Sequence, residues 1–251
     1  MKITGKKPVV ETPTSKAKTE RLMREKAITE SLMHAIKEQS KEDPLIGAKI
    51  GSKEVNQRLM DGMKSDRGVH IESMLCVLGS LAGYSCQANL RAQAVARGMP
   101  ENAAFQVVGM KDGKKYFFGD PLNNALAESQ YSVWGLAAGA AQHVGCNTLP
   151  DINGIFKHTT EALGSDDFGL PRVPDNHKSN DTPLNYLRTL WPAIHPTVKQ
   201  FCPNPVDWPI LFGLAIQEVI YMGKGIIDPG LALTIVMESA IPMSKVDLDS
   251  L

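Results

Sequence analysis

Glu72-Ser73-Met74-Leu75-Cys76-Val77-Leu78-Gly79-Ser80-Leu81-Ala82-Gly83 returns, with half of its positions unchanged, as Glu128-Ser129-Gln130-Tyr131-Ser132-Val133-Trp134-Gly135-Leu136-Ala137-Ala138-Gly139. In a helix, residues three and four apart share a face. Glu72, Cys76, Gly79 and Gly83 then form one stripe, and Glu128, Ser132, Gly135 and Gly139 form another. Each is a flat strip of small side chains headed by a carboxylate. A glycine inside a helix costs roughly 1 kcal/mol relative to alanine. Placing Gly79, Gly83, Gly135 and Gly139 there predicts a packing role, with the two striped helices in close backbone contact.

Outward from the first copy, the Ser65-Asp66-Arg67-Gly68 turn leads into its helix, which extends to about Arg97, where Gly98 and Pro100 stop it. Upstream, a long helix is expected from Ser15 to about Ser40, a connector at Asp43-Pro44, and a shorter helix from Ser52 through Met63. Downstream, Ala104–Met110 and Lys114–Phe118 flank Lys111-Asp112-Gly113, a hairpin signature because Asp-Gly supplies the positive φ of a tight turn. Asp120 is expected to cap the second striped helix, with Pro121 at its first position. Thr182-Pro183, Asp207-Trp208-Pro209 and Asp228-Pro229 repeat that device and mark further helix starts.

Gly164–Asn180 reads as a long loop, of the kind that forms lids or contact surfaces. Trp191-Pro192-Ala193-Ile194-His195-Pro196 is expected to bend between two short helices, because its prolines remove backbone donors. Pro209–Met222 and Pro229–Ala240 are apolar nearly all round, which places them in a core or under a partner subunit. The expected fold is therefore mainly α. It is a single multi-helix globular domain over 16–242, with one β-hairpin (about 104–118) inserted between two glycine-striped helices. A flexible tail over 1–15 precedes it, a frayed tail over 243–251 follows it, and any subdivision is expected near the 165–180 loop.

A chain of 251 residues with 43% hydrophobic content has ample material for a core. Lys+Arg and Asp+Glu each total 27, so the molecule lacks the basic excess that phosphate-backbone binding demands, and nucleic acid is excluded as a main partner. The charged N-terminal residues are followed by no apolar stretch of a secretory signal. The most apolar run, Ile210–Met222, is broken by Gln217 and Glu218 and falls short of a membrane span. The four cysteines form no C-x-x-C pair, and a soluble cytoplasmic protein with reduced thiols is expected. His143-x-x-Cys146 reads as a helix C-terminal turn ending at Gly145.

Four apolar helices each carry a glutamate: Glu72, Glu128, Glu218 and Glu238. A desolvated carboxylate is costly unless paired, so Glu72 and Glu128 are candidate ligands for a divalent metal. The Glu-x-x-His pairs of di-iron bundles are absent. Asp120, Asn123, Asn124 and Glu128 gather at a helix start after an aromatic strand and form the candidate ligand-binding cluster, against a purely capping role. His70 and Glu72 converge only if residues 68–72 are extended; with Asp120 they are the acid–base candidates, and 164–180 is the candidate lid. No nucleophile elbow, phosphate loop, dinucleotide fingerprint or H-E-x-x-H occurs, and no cofactor class is indicated.

Three function classes are consistent with these features. The first is an interaction or assembly protein forming a homodimer through helix packing. The second is a small-molecule or divalent-metal binding module using carboxylates near the helix pair, and the third an enzyme of uncommon type using His, Glu and Asp in acid–base roles.

Overall fold

A computed structural model describes residues 13–249, and these are mainly helical with one two-stranded antiparallel hairpin. The chain divides into two units at Ile46, not at the 165–180 loop. The first contains α1 (Pro13–Gln39), which takes in the last three residues of the tail expected over 1–15; the rest of that tail lies outside the described residues. α1 leaves Met23 and Ile28 exposed and closes in turns from Ile36 to Asp43.

The second unit is built around α3 (Ile71–Ala96), which is buried almost all round from Glu72 to Gln87. Against it pack α7 (Pro183–Phe201), α8 (Trp208–Met222) and α9 (Pro229–Met243). α5 (Val133–His143) lies on α8 and α9, and α6 (Ile152–Glu161) on α9. α2 (Ile46–Met63) reaches α8 through Asn56, whose Nδ2 donates to the Ala215 carbonyl at 3.1 Å. Leu75, Leu78, Leu81, Phe212, Ile216 and Leu233 are fully enclosed and form the centre of the core. α8 and α9, the two all-apolar helices, are thus covered from within the chain.

The close backbone approach is between α3 and α9. A Cβ on Gly79 would lie 2.5 Å from the Val236 carbonyl oxygen, and one on Gly83 would overlap the carbonyl of Ala240. Because 79 faces 236 and 83 faces 240, the two helices run in the same direction here. Gly135 and Gly139 lie elsewhere: both are exposed, and nothing stands within 4 Å of a Cβ on Gly139. The second copy is not one helix. α4 (Asp120–Asn123) and a π turn (Asn124–Glu128) end at Ser129, and α5 starts anew after Ser132, whose hydroxyl caps Gly135 N at 3.0 Å. The stripe expected from Glu128 to Gly139 is broken by the extended backbone at Ser129 and Ser132.

Other expectations change for local reasons. Gly119 (φ 147°), and not Asp120, is the cap residue before α4. α7 continues through Pro192 and Pro196 without a break. Both prolines are exposed, so the carbonyls that lose a donor, on Arg188 and Pro192, lie on the face open to water. The C-terminal segment is anchored: the Phe117 amide donates to Lys245 O at 2.8 Å, Tyr116 bridges Val246, and Gln87 Nε2 donates to the carbonyls of Ser244 and Val246. It extends the hairpin β1 (Gln106–Gly109) and β2 (Lys115–Phe118) by a short third strand-like segment. No helix among the described residues is long and apolar enough to cross a membrane.

Candidate functional site

His70 enters α3 in extended geometry (φ −73°, ψ 115°) as its N-cap. That backbone turns its ring toward the first helical turn, so His70 and Glu72 do converge: Nε2 lies 3.2 Å from Glu72 Oε2. The other carboxylate oxygen, Oε1, is 2.9 Å from Nδ1 of His177. His177 comes from a short 3-10 turn (Asp175–His177) inside the 164–180 segment, which crosses the N-terminal end of α3 as a strap. One carboxylate therefore bridges two imidazoles.

The hydrogen bonds assign the rings. His70 Nδ1 accepts from the Ser73 backbone N–H at 3.3 Å and contacts the Ser73 hydroxyl at 2.9 Å. A neutral ring that accepts at Nδ1 carries its proton on Nε2, which then donates to Glu72. The Ser73 hydroxyl in turn accepts from the Asn180 backbone N–H at 2.9 Å, tying down the far end of the strap. With both nitrogens of His70 engaged, His177 Nε2 is the imidazole nitrogen of this cluster that has no hydrogen bond among the described residues. Its side chain remains 28% exposed.

Burial alone pushes the Glu72 carboxyl up. The hydrogen bond from His177, the Glu72 backbone N–H and the charge that His70 and His177 carry when protonated outweigh it, and the carboxyl is held below its ordinary 4.5. Its place in the first turn of α3 acts in the same direction, because the helix dipole favours negative charge there. One turn further, Cys76 sits among Ser80, Ser179 and Ser239, and burial pushes its thiol up, so it remains protonated and serves packing.

A cleft of about 540 Å³ opens over His70 and Glu72. Its apolar lining is Met60, Met74, Val219, Met222 and Ile226, and Arg67 and Asn180 are among its polar lining residues. A second cleft, about 600 Å³, lies on the other side of Asn180 beneath Arg172, Lys178 and Asp181. The strap is also fixed there, by Arg172 Nη2 at 2.6 Å from Glu238 Oε1.

The remaining residues singled out by sequence scatter. Asp120 is exposed and lines neither cleft, so it is not a partner of His70 and Glu72. Glu128 is exposed and lines a different cleft, together with Asn123. Asn124 lines a depression on another face beside Pro121 and Tyr131. Glu218 accepts from Asn56 Nδ2 at 2.9 Å, and Glu238 is paired with Arg172. The four glutamates thus have separate environments, and no group of three or more His, Cys, Asp or Glu among the described residues is arranged to hold a metal ion. His177, Ser73 and Asn180 carry the site with His70 and Glu72, and the length of the 164–180 segment was the one sequence feature that pointed toward them. Comparison with protein-family models, with curated proteins and with solved structures returns no match.

Proposed function

We propose that the protein binds a small amphipathic molecule in the cleft over the N-terminus of α3, where the Glu72 carboxylate meets its polar group and His70 and His177 hold that carboxylate in place. The observation that carries this reading is the single carboxylate held between two imidazoles in the lining of a largely apolar cleft. An ionised Glu72 accepting from His177 Nδ1–H fixes the tautomer and orientation of that ring, and the ring in turn fixes the carboxylate. His70, held by Ser73, is a positioning residue that keeps the carboxylate in place. Met222 and Ile226, 46% and 71% exposed at the cleft mouth, suit the apolar body of a ligand, and Arg67 suits an acceptor or anionic group.

Gly79 and Gly83 are covered by α9 of the same chain, so a homodimer through a glycine stripe would use the exposed Gly135 and Gly139 of α5. A reducing compartment remains part of the proposal, supported by four free, buried cysteines.

The test is imidazole-detected NMR during titration with a panel of neutral and anionic aromatic fragments. Binders should shift His70 and His177 together, and Met222→Trp, which narrows the mouth without entering the core, should abolish the shifts. Binding that leaves both rings unmoved, or that survives Met222→Trp unchanged, contradicts the reading, as does a panel in which no fragment binds.

A further inference from the structure

Lys245 is 2% exposed, and its ammonium has no carboxylate partner among the described residues. Its position is imposed by the backbone. The segment after α9 is held on one side by β2 and on the other by Gln87, and Lys245 sits in the turn that leaves α9, its amide donating to Pro242 O at 2.9 Å. Lys245 and Val246 are both buried there.

Around Nζ stand three groups: Asn123 Oδ1 at 3.2 Å, the Phe118 ring at 5.3 Å and the Phe156 ring at 5.8 Å. All three line one cleft of about 540 Å³, so the ammonium lies at its floor. An ammonium has three N–H donors, and here one is used, on a neutral amide. Ring faces attract the cation but accept hydrogen bonds poorly. A buried cation in this state lacks the anion that would offset its desolvation. Consistently, burial pulls the amine down to about 8, with the Cys86 thiolate form the one charge acting the other way.

We infer that the Lys245 cleft is a binding site for a small organic carboxylate with an aromatic or other flat apolar body. The carboxylate takes the two free N–H donors of Lys245, and the Asn153 amide at the wall offers a further donor. The body lies among Phe118, Trp134 and Phe156. Glu128 and Lys157, both exposed, also line this cleft and carry opposite charges at its rim. This site is separate from the one over Glu72 and does not depend on it.

The experiment uses the full chain and three probes: phenylacetate, its neutral isostere phenylacetamide, and inorganic phosphate. Binding is followed by calorimetry and by the Nζ resonance of 15N-labelled lysine. Phenylacetate should bind and move the Lys245 signal, and phenylacetamide should bind at least tenfold more weakly. Lys245→Met, which keeps the length and apolar stem of the side chain, should fold and lose the preference for the acid. Asn153→Ala is the second variant and should weaken phenylacetate several-fold with Lys245 still present. Equal affinity for acid and amide, an unmoved Lys245 resonance, or an intact acid preference in Lys245→Met would overturn the inference. Phosphate binding tighter than phenylacetate would overturn the assignment to an organic carboxylate with an apolar body.

Discussion

The carbonyl oxygen of Val236 stands 2.5 Å from the point that a Cβ on Gly79 would occupy, and four residues on along each helix Ala240 crowds Gly83 still more closely. The absence of side chains on α3 is what allows α9 to lie against it. Backbone atoms cannot yield as a side-chain end can, so the contact is intolerant of even one methyl group. Gly83→Ala is expected to lower stability by about 1–3 kcal/mol in chemical denaturation. Gly139→Ala, on the exposed face of α5 with open space around it, is expected to raise stability by up to about 1 kcal/mol. The reverse order would show that the repeated pattern, and not the α3–α9 contact, explains these glycines.

The strap over α3 should be acid-labile. Glu72 has a lower pKa folded than its ordinary 4.5, so its contribution to stability is complete above the ordinary carboxylate range and disappears as pH falls through the folded value. Urea unfolding of wild type and Glu72→Gln should therefore differ at pH 7, with the variant weaker, and the difference should close in acid. A constant difference across that range would remove the ionised carboxylate from the account.

Lys245 has the opposite sign. Its folded value, about 8, lies below the ordinary 10.5, so between those values the unfolded chain binds more protons and stability rises with pH. Below pH 8 both states are charged and the folded state bears the full burden of the buried ammonium. Lys245→Met is expected to stabilise the unliganded protein at pH 7, by at most about 3 kcal/mol before the lost contacts with Asn123 and the two rings are subtracted. The gain should shrink toward pH 10.5, as seen by thermal unfolding across that range. A variant less stable than wild type at pH 7 and at pH 10 alike would contradict it.

How far the sequence discloses this molecule depends on the range of each interaction. Helix starts at Pro183 and Pro229 were readable because Thr182 and Asp228 cap amides only three residues away. The hairpin was readable from Asp112-Gly113, where Gly113 takes φ 91°. The glycine stripe on α3 announced a close contact but not its partner. A flat strip fits any approaching backbone, and α9, with Val236 and Ala240 at the seam, shows no matching glycine there. The failure of the second copy as one helix turns on Ser129 and Ser132, which take extended geometry between the π turn and α5.

The site was half legible. His70 and Glu72 are two residues apart, and their meeting depended on one extended residue, His70 itself. His177 is 105 positions from Glu72, a separation over which no local pattern carries information. Lys245 is hidden for a different reason: nothing in Ser244-Lys245-Val246 distinguishes a lysine clamped between a sheet edge and Gln87 from one in a solvated tail.

The most direct test of the central claim reads the imidazole nitrogens of His177 by long-range 1H–15N NMR at a pH where the ring is neutral. The account predicts the Nδ1–H tautomer in the wild type, with the Nε2 lone pair free, and loss of that bias in Glu72→Ala. A ring protonated on Nε2 in the wild type, or a tautomer indifferent to Glu72→Ala, would contradict it.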